Sequence, residues 1–184
     1  MRRLLTVSLL LAACGGDDPV SYSAPVGINL KAKSGDVKSG VINNEKGITT
    51  EQSNPYGAFV NAARGALGGR DPVRITVTSI TLALGGKSKN VLALEEVFAG
   101  EVEVLFLMDG TTKNSFKAGH VADPTGSGPV SMAIDFGPEQ LNPADYDALL
   151  SGSFKVVIRG AAATGFDGKD ADADLLTTFE FEAF

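Results

Sequence analysis

Apolar residues alternate with polar ones, position by position, in run after run of this chain, and that period of two constrains its fold more than any other feature. Val26, Ile28, Leu30 and Ala32 alternate with Gly27, Asn29, Lys31 and Lys33, and Val73, Ile75 and Val77 alternate with Arg74, Thr76 and Thr78. An extended strand sends successive side chains to opposite faces, so such runs describe half-buried strands. The parity flips at Ile80, Leu82 and Leu84, which predicts a bulge near Ser79 or a strand that crosses between sheets. Val102, Val104, Phe106 and Met108 form a further run, and Leu105 and Leu107 make its second half apolar on both faces, as in a central strand. Val130 to Phe136, Phe154 to Ile158 and Leu175 to Phe181, with Thr177 in its apolar row, alternate in the same way. Shorter runs at 37–42, 91–98 and 116–121 add to the set.

Gly85-Gly86, Asp109-Gly110, the segment 124–129 and Asp167-Gly168 are turn signals between these runs. With 22 glycines, roughly 12% against a usual 7% or so, tight turns are well supplied. Asn54-Pro55 and Asn142-Pro143 each place a capping residue before a proline at the first helical position. The first opens a helix with Phe59, Val60, Ala63 and Leu67 on one side; the second opens a short helical turn through Tyr146, Leu149 and Leu150, stopped by Gly152. The fold class that follows is all-β: an antiparallel β-sandwich of about eight strands with one or two short helices, a barrel being the alternative.

The first residues follow a different rule. Met1-Arg2-Arg3 is basic, residues 4–11 are mostly leucine, and Ala12-Ala13 precede Cys14, the only cysteine in 184 residues. A basic head, an apolar stretch and small residues make the secretory pattern. Leu11-Ala12-Ala13-Cys14 resembles the lipobox of bacterial lipoproteins. The resemblance covers about the first 15 residues and implies that the chain is cut before Cys14, whose sulfur carries a diacylglycerol and whose new amino group is acylated. It divides the chain into a signal peptide (1–13), a lipidated tether (14–22) and a single sandwich domain (23–184). It also places the protein in the cell envelope, bound to a membrane through its N-terminal lipid. Gly15, not Asp, follows the cysteine, which points to the outer membrane. Loss of Arg2 and Arg3 leaves 14 basic against 22 acidic residues, a formal −8. No cysteine then remains for a disulfide, so the core alone must hold the domain.

That acidic balance argues against nucleic acid as a partner, because phosphate binding needs a basic face. Gly85-Gly86-Lys87-Ser88 lacks the glycine that a phosphate-binding loop requires at position 81, where Thr81 stands, so no nucleotide is expected. His120 is the only histidine, with Asp123 three residues on, and no Gly-x-Ser-x-Gly elbow accompanies it. Glu95, Glu96, Glu101, Glu103, Asp135 and Asp147 supply carboxylates for acid–base work only if the fold brings a pair together. The densest chemistry is Asp167, Asp170, Asp172 and Asp174 within eight residues. Asp170, Asp172 and Asp174 fit places one, three and five of an EF-hand loop, but Leu175 stands where glycine is required and Phe181 where the bidentate glutamate belongs. Two readings remain: a solvated acidic hairpin tip, or a looser calcium site with those four aspartates as ligands. No other cofactor is expected.

The function expected from these features is a non-enzymatic, lipid-anchored envelope protein presenting a binding or assembly surface, with another envelope protein as the candidate partner. The alternatives are a small-ligand- or carbohydrate-binding lipoprotein, against which the absence of Trp and the presence of only Tyr22, Tyr56 and Tyr146 weigh, and an envelope hydrolase using paired carboxylates.

Overall fold

The computed structural model describes residues 20–184 except 52 and 110–112. Cys14, the residues read as signal peptide and lipobox, most of the tether and Gly110 lie outside the described residues. The described residues form nine strands: β1 (Tyr22–Lys33), β2 (Val41–Ile48), β3 (Ile75–Leu84), β4 (Phe98–Met108), β5 (Ser115–Ala122), β6 (Val130–Ser131), β7 (Ala133–Ile134), β8 (Phe154–Ala162) and β9 (Asp172–Ala183). Two helices, α1 (Pro55–Ala66) and α2 (Pro143–Ser151), complete the set. The strands build a four-stranded sheet, β1-β9-β3-β6, facing a five-stranded one, β2-β8-β4-β5-β7, with antiparallel pairing throughout. This is an all-β sandwich.

The alternation sets which face each strand buries. Val26, Ile28, Leu30 and Ala32 of β1 point inward, as do Ala173, Leu175, Thr177, Phe179, Phe181 and Ala183 of β9. Between the sheets lies a continuous group of rings. Phe106 of β4, in the middle of its sheet, is 5.1 Å from Phe136, 5.5 Å from Phe154 and 5.3 Å from Phe179 between ring centroids. Tyr56 extends the group, 5.0 Å from Phe154 and 5.3 Å from Phe181, both edge-on. Thr177 is the exception in this row: its side chain is fully buried and Oγ1 has no hydrogen-bond partner. Burying an unpaired hydroxyl costs free energy that an isosteric methyl does not. Thr177→Val is expected to raise the unfolding free energy by about 1 kcal/mol, read as a higher denaturant midpoint; a lower midpoint would show that the hydroxyl is bonded.

Both helices start where the Asn-Pro pairs place them. Asn54 Oδ1 accepts from the Tyr56 amide at 3.0 Å, and Asn142 Oδ1 from the Asp145 amide at 2.9 Å. Helix α1 buries Tyr56, Phe59, Val60 and Ala63, the spacing of one helical face. It lies so close to the preceding loop that a Cβ on Gly57 would stand 2.5 Å from the Glu51 carbonyl oxygen. Helix α2 runs nine residues, longer than the single turn expected, and ends at left-handed Gly152 (φ +69°). The Tyr56 hydroxyl donates to the Leu149 carbonyl at 3.0 Å and joins the two helices.

One open choice is decided and three details depart from the expectation. Of the two options at Ser79, the bulge is present: the β3–β9 register shifts between Val77 and Ser79, and β3 stays in one sheet. Val73 is outside β3 and 84% exposed. The run 130–136 is where the chain crosses between sheets, since β6 pairs with β3 and β7 with β5 on either side of Met132. The stretch 91–97 is a loop containing a short 3-10 turn (Leu94–Glu96) rather than a strand, with Val91, Leu94 and Val97 packed into the core.

Candidate functional site

The four aspartates do not sit at a hairpin tip. Strands β8 and β9 belong to opposite sheets, so the segment 163–171 is a crossover closing one end of the sandwich. Phe166 is fully buried and pins this crossover to the core. Ser34 stitches it to the end of β1: the Ser34 amide donates to the Ala171 carbonyl at 2.9 Å, and the Ala171 amide to Ser34 Oγ at 3.0 Å. Asp167 and Asp170 are exposed, and Asn90 Nδ2 donates to the Asp170 carbonyl at 2.9 Å. Asp172 Oδ2 pairs with Lys31 Nζ at 3.4 Å, while Oδ1 is turned inward without a partner. Asp174 follows on the outer face of β9, its amide donating to Ser88 Oγ at 3.0 Å and its carbonyl accepting from Gly85 at 2.6 Å. Among the described residues no three His, Cys, Asp or Glu side chains gather into a group that could hold a metal. Asp167, Asp170, Asp172 and Asp174 are therefore not assembled as a calcium ligand set. The reason is geometric: Asp172 and Asp174 lie along an extended strand, where alternate side chains stand about 6.5 Å apart, and Asp172 is engaged by Lys31.

The glycine-lysine-serine turn has a structural role. It opens the connection between β3 and β4, which lie in opposite sheets, so it too is a crossover rather than a hairpin. Ser88 Oγ donates to the Gly85 carbonyl at 2.9 Å while accepting from Asp174, fastening the turn to β9.

His120 meets an aspartate, but a different one from its sequence neighbour. Its Nδ1 lies 2.6 Å from Asp135 Oδ2, whereas Asp123 Oδ1 accepts from the Gly100 amide at 3.0 Å. The partners are brought together because β7, just before Asp135, pairs with β5 at Gly119 and His120. Beside them a charged ladder crosses the outer face of the five-stranded sheet. Arg159, Glu103 and His120 occupy one register row on β8, β4 and β5. Glu103 accepts from Arg159 Nη2 at 2.5 Å and from Lys117 at 3.0 Å, and Glu101 also accepts from Lys117 at 3.0 Å. The Arg159 hydrogen bond, followed by that from Lys117, holds the Glu103 carboxyl below the usual glutamate range, and the bonds that Lys117 donates to Glu101 and Glu103 raise its own pKa. Glu101 and Glu103 are thus paired around a cation. A proton-donating carboxyl for hydrolysis needs its pKa raised instead. Glu95 accepts from the Gly126 amide at 2.7 Å and Glu96 pairs with Lys169 at 2.7 Å, so these two also serve loop structure.

Besides a wider, open recess of about 690 Å³ at Lys89, Asn90 and Asp172, the concave surfaces include two shallow grooves between β1 and β2, of about 400 Å³ near Lys31, Lys38 and Asn44 and about 370 Å³ near Gly27, Lys46 and Asn54. No aromatic ring lines either one. Tyr56 is buried, the Tyr146 hydroxyl donates to the Pro72 carbonyl at 2.6 Å, and the Tyr22 ring packs 6.0 Å from Phe59. All three tyrosines are committed to the domain's own packing rather than forming a sugar-stacking platform.

No protein-family model matches this chain, and no curated protein matches it significantly. What fold and surface define is a two-sheet antiparallel sandwich with an aromatic interior and charged, internally paired outer faces.

Proposed function

We propose that this protein is a lipid-anchored component of the cell envelope, held in the outer membrane by Cys14, that uses its sandwich surface for binding or assembly and performs no catalysis. The observation that carries this reading is the chain's only cysteine, placed directly after an apolar segment and two alanines. Acylation at such a position anchors a domain firmly, because two or three acyl chains hold where one alone binds marginally. A non-catalytic role is supported by the way the polar side chains are used: Glu101 and Glu103 share Lys117, Ser88 fastens a turn, and the grooves are shallow. Among the described residues no helix is long and apolar enough to cross a membrane, so membrane attachment is assigned to the lipid.

Metabolic labelling with palmitate tests the anchor. The wild type is expected to take the label and to fractionate with membranes, whereas Cys14→Ala takes none and is recovered in the soluble fraction. Equal labelling of the two chains, or equal membrane retention, would remove the basis for the proposal.

A further inference from the structure

The sandwich has two unlike ends. Tyr22 of β1 and Ile75 of β3 both pair with Ala183 of β9, so the start of the domain, the end of β9 and the segment leading into β3 meet at one end. Past that row, the Val73 amide donates to the Phe184 carbonyl at 2.8 Å and the Phe184 amide to the Arg74 carbonyl at 2.9 Å. Val20 precedes Tyr22 on one side of β9 and Val73 precedes Ile75 on the other, so both lie at the end of the sheet where Phe184 follows β9. Val20 is 62% exposed and Val73 84%. The Arg74 guanidinium lies 4.0 Å from the centre of the Phe184 ring, and Arg70 holds the Leu67 carbonyl at 3.2 Å. Of the carboxylates nearby, Asp71 pairs with Arg64, and Glu182 accepts from Ser21 at 2.9 Å. Arg70 and Arg74 form no ion pair among the described residues. The opposite end carries the four-aspartate crossover, with Asp172 across from Lys33 at the far end of β1.

Building on the lipid anchor proposed above, we infer that the rim formed by Val20, Val73, Arg70 and Arg74 seats on the anionic lipid surface that holds Cys14. Six residue steps separate Cys14 from Val20, which even fully extended span only about 20 Å. The domain end that bears the rim is therefore the end nearest the bilayer. Tethering at this length makes a weak contact intramolecular, so two arginines and two valines suffice to bias the orientation. Their chemistry suits an interface, with valines entering the headgroup boundary and guanidinium groups meeting phosphates. The acidic crossover then faces away from the membrane, where like charge favours it.

The chain contains no tryptophan, so an introduced one reports alone. Leu92, in the β3–β4 crossover at the far end, is as exposed as Val73 and provides a matched control. Lipidated Val73→Trp and Leu92→Trp proteins would be reconstituted into phosphatidylglycerol–phosphatidylethanolamine vesicles with brominated acyl chains. The tryptophan at 73 is expected to lose intensity and shift to the blue, the one at 92 to do neither, and Arg70→Glu added to Val73→Trp to restore the intensity. Val20→Trp, on the other side of Phe184, gives a second reporter if the first variant misfolds. Equal quenching at 73 and 92, or none at 20 and 73 while the protein stays on the vesicles, overturns the seating but leaves the anchor. Protein that does not stay on the vesicles at all overturns the anchor, and the seating with it.

Discussion

Phe106→Ala is expected to lower the unfolding free energy by about 3–5 kcal/mol, the largest effect of any single substitution considered for this domain. Phe106 is fully buried on the middle strand of the five-stranded sheet, and Phe136, Phe154, Phe179 and Phe181 all approach it within 6.2 Å. Truncation removes the transfer free energy of the ring and leaves a cavity lined by four rigid neighbours anchored on two strands and a loop, which cannot close on it. A domain of this size is stable by only about 5–15 kcal/mol, so the variant stands close to unfolding at ordinary temperature. Leu107→Ala, one residue along but on the half-exposed face, is the matched comparison and loses much less. Denaturant titration of the two variants measures the difference. A loss for Phe106→Ala no larger than that for Leu107→Ala would mean that the ring cluster does not hold the two sheets together.

The second large effect is on alkaline stability. Burial pushes the Tyr56 hydroxyl far above its ordinary value near 10, and burial together with Asp71 and Asp147 pushes Tyr146 up to about 12. In the unfolded chain both titrate near 10. Above that pH the unfolded state gives up protons that the folded state keeps, so the unfolded state is favoured and stability falls as pH rises. The slope is about 1.4 kcal/mol per pH unit for each such tyrosine. For Tyr56 alone, the interval from pH 10 to 12 removes roughly 2.3 kcal/mol, since the slope reaches its full value only above pH 10. Tyr56→Phe separates this from general alkaline effects. At neutral pH the variant is less stable by about 1 kcal/mol, because the buried Leu149 carbonyl loses one of two donors and keeps only the Gly152 amide. Above pH 10 the variant lacks one of the two titrations, so its stability curve is shallower and the gap to the wild type narrows. Parallel curves from pH 9 to 12 would contradict the assignment.

Local chemistry made much of the fold legible. The alternation in β1 and β9 and the Asn-Pro starts of both helices depend on residues within a few positions of one another, and each appears where the sequence places it. Partner choice was not legible. A glycine-rich turn looks the same whether the chain reverses within a sheet or crosses to the other, and Gly85-Gly86 and Asp167-Gly168 both turned out to lie in crossovers. The even alternation from Val130 to Phe136 likewise gives no sign that its halves pair with different sheets. The same limit applied to the charged groups. The spacing of Asp172 and Asp174 is written in the sequence, but the lysine on Asp172 arrives from β1, 141 residues away. His120 and Asp135 meet only because the two-residue β7 docks on β5.

The pairing of the first strand with the last has a kinetic meaning. β1 forms its ladder with β9 alone, Tyr22 opposite Ala183 and Lys33 opposite Asp172, and β3 has β9 as its main neighbour. The four-stranded sheet therefore has no centre until residues 172–183 are present. A chain made from its N-terminus therefore cannot close this sandwich until residues 172–183 have emerged, and it must then make contacts of very long sequence separation, which places its folding in the slow, milliseconds-to-seconds range of β-sandwiches.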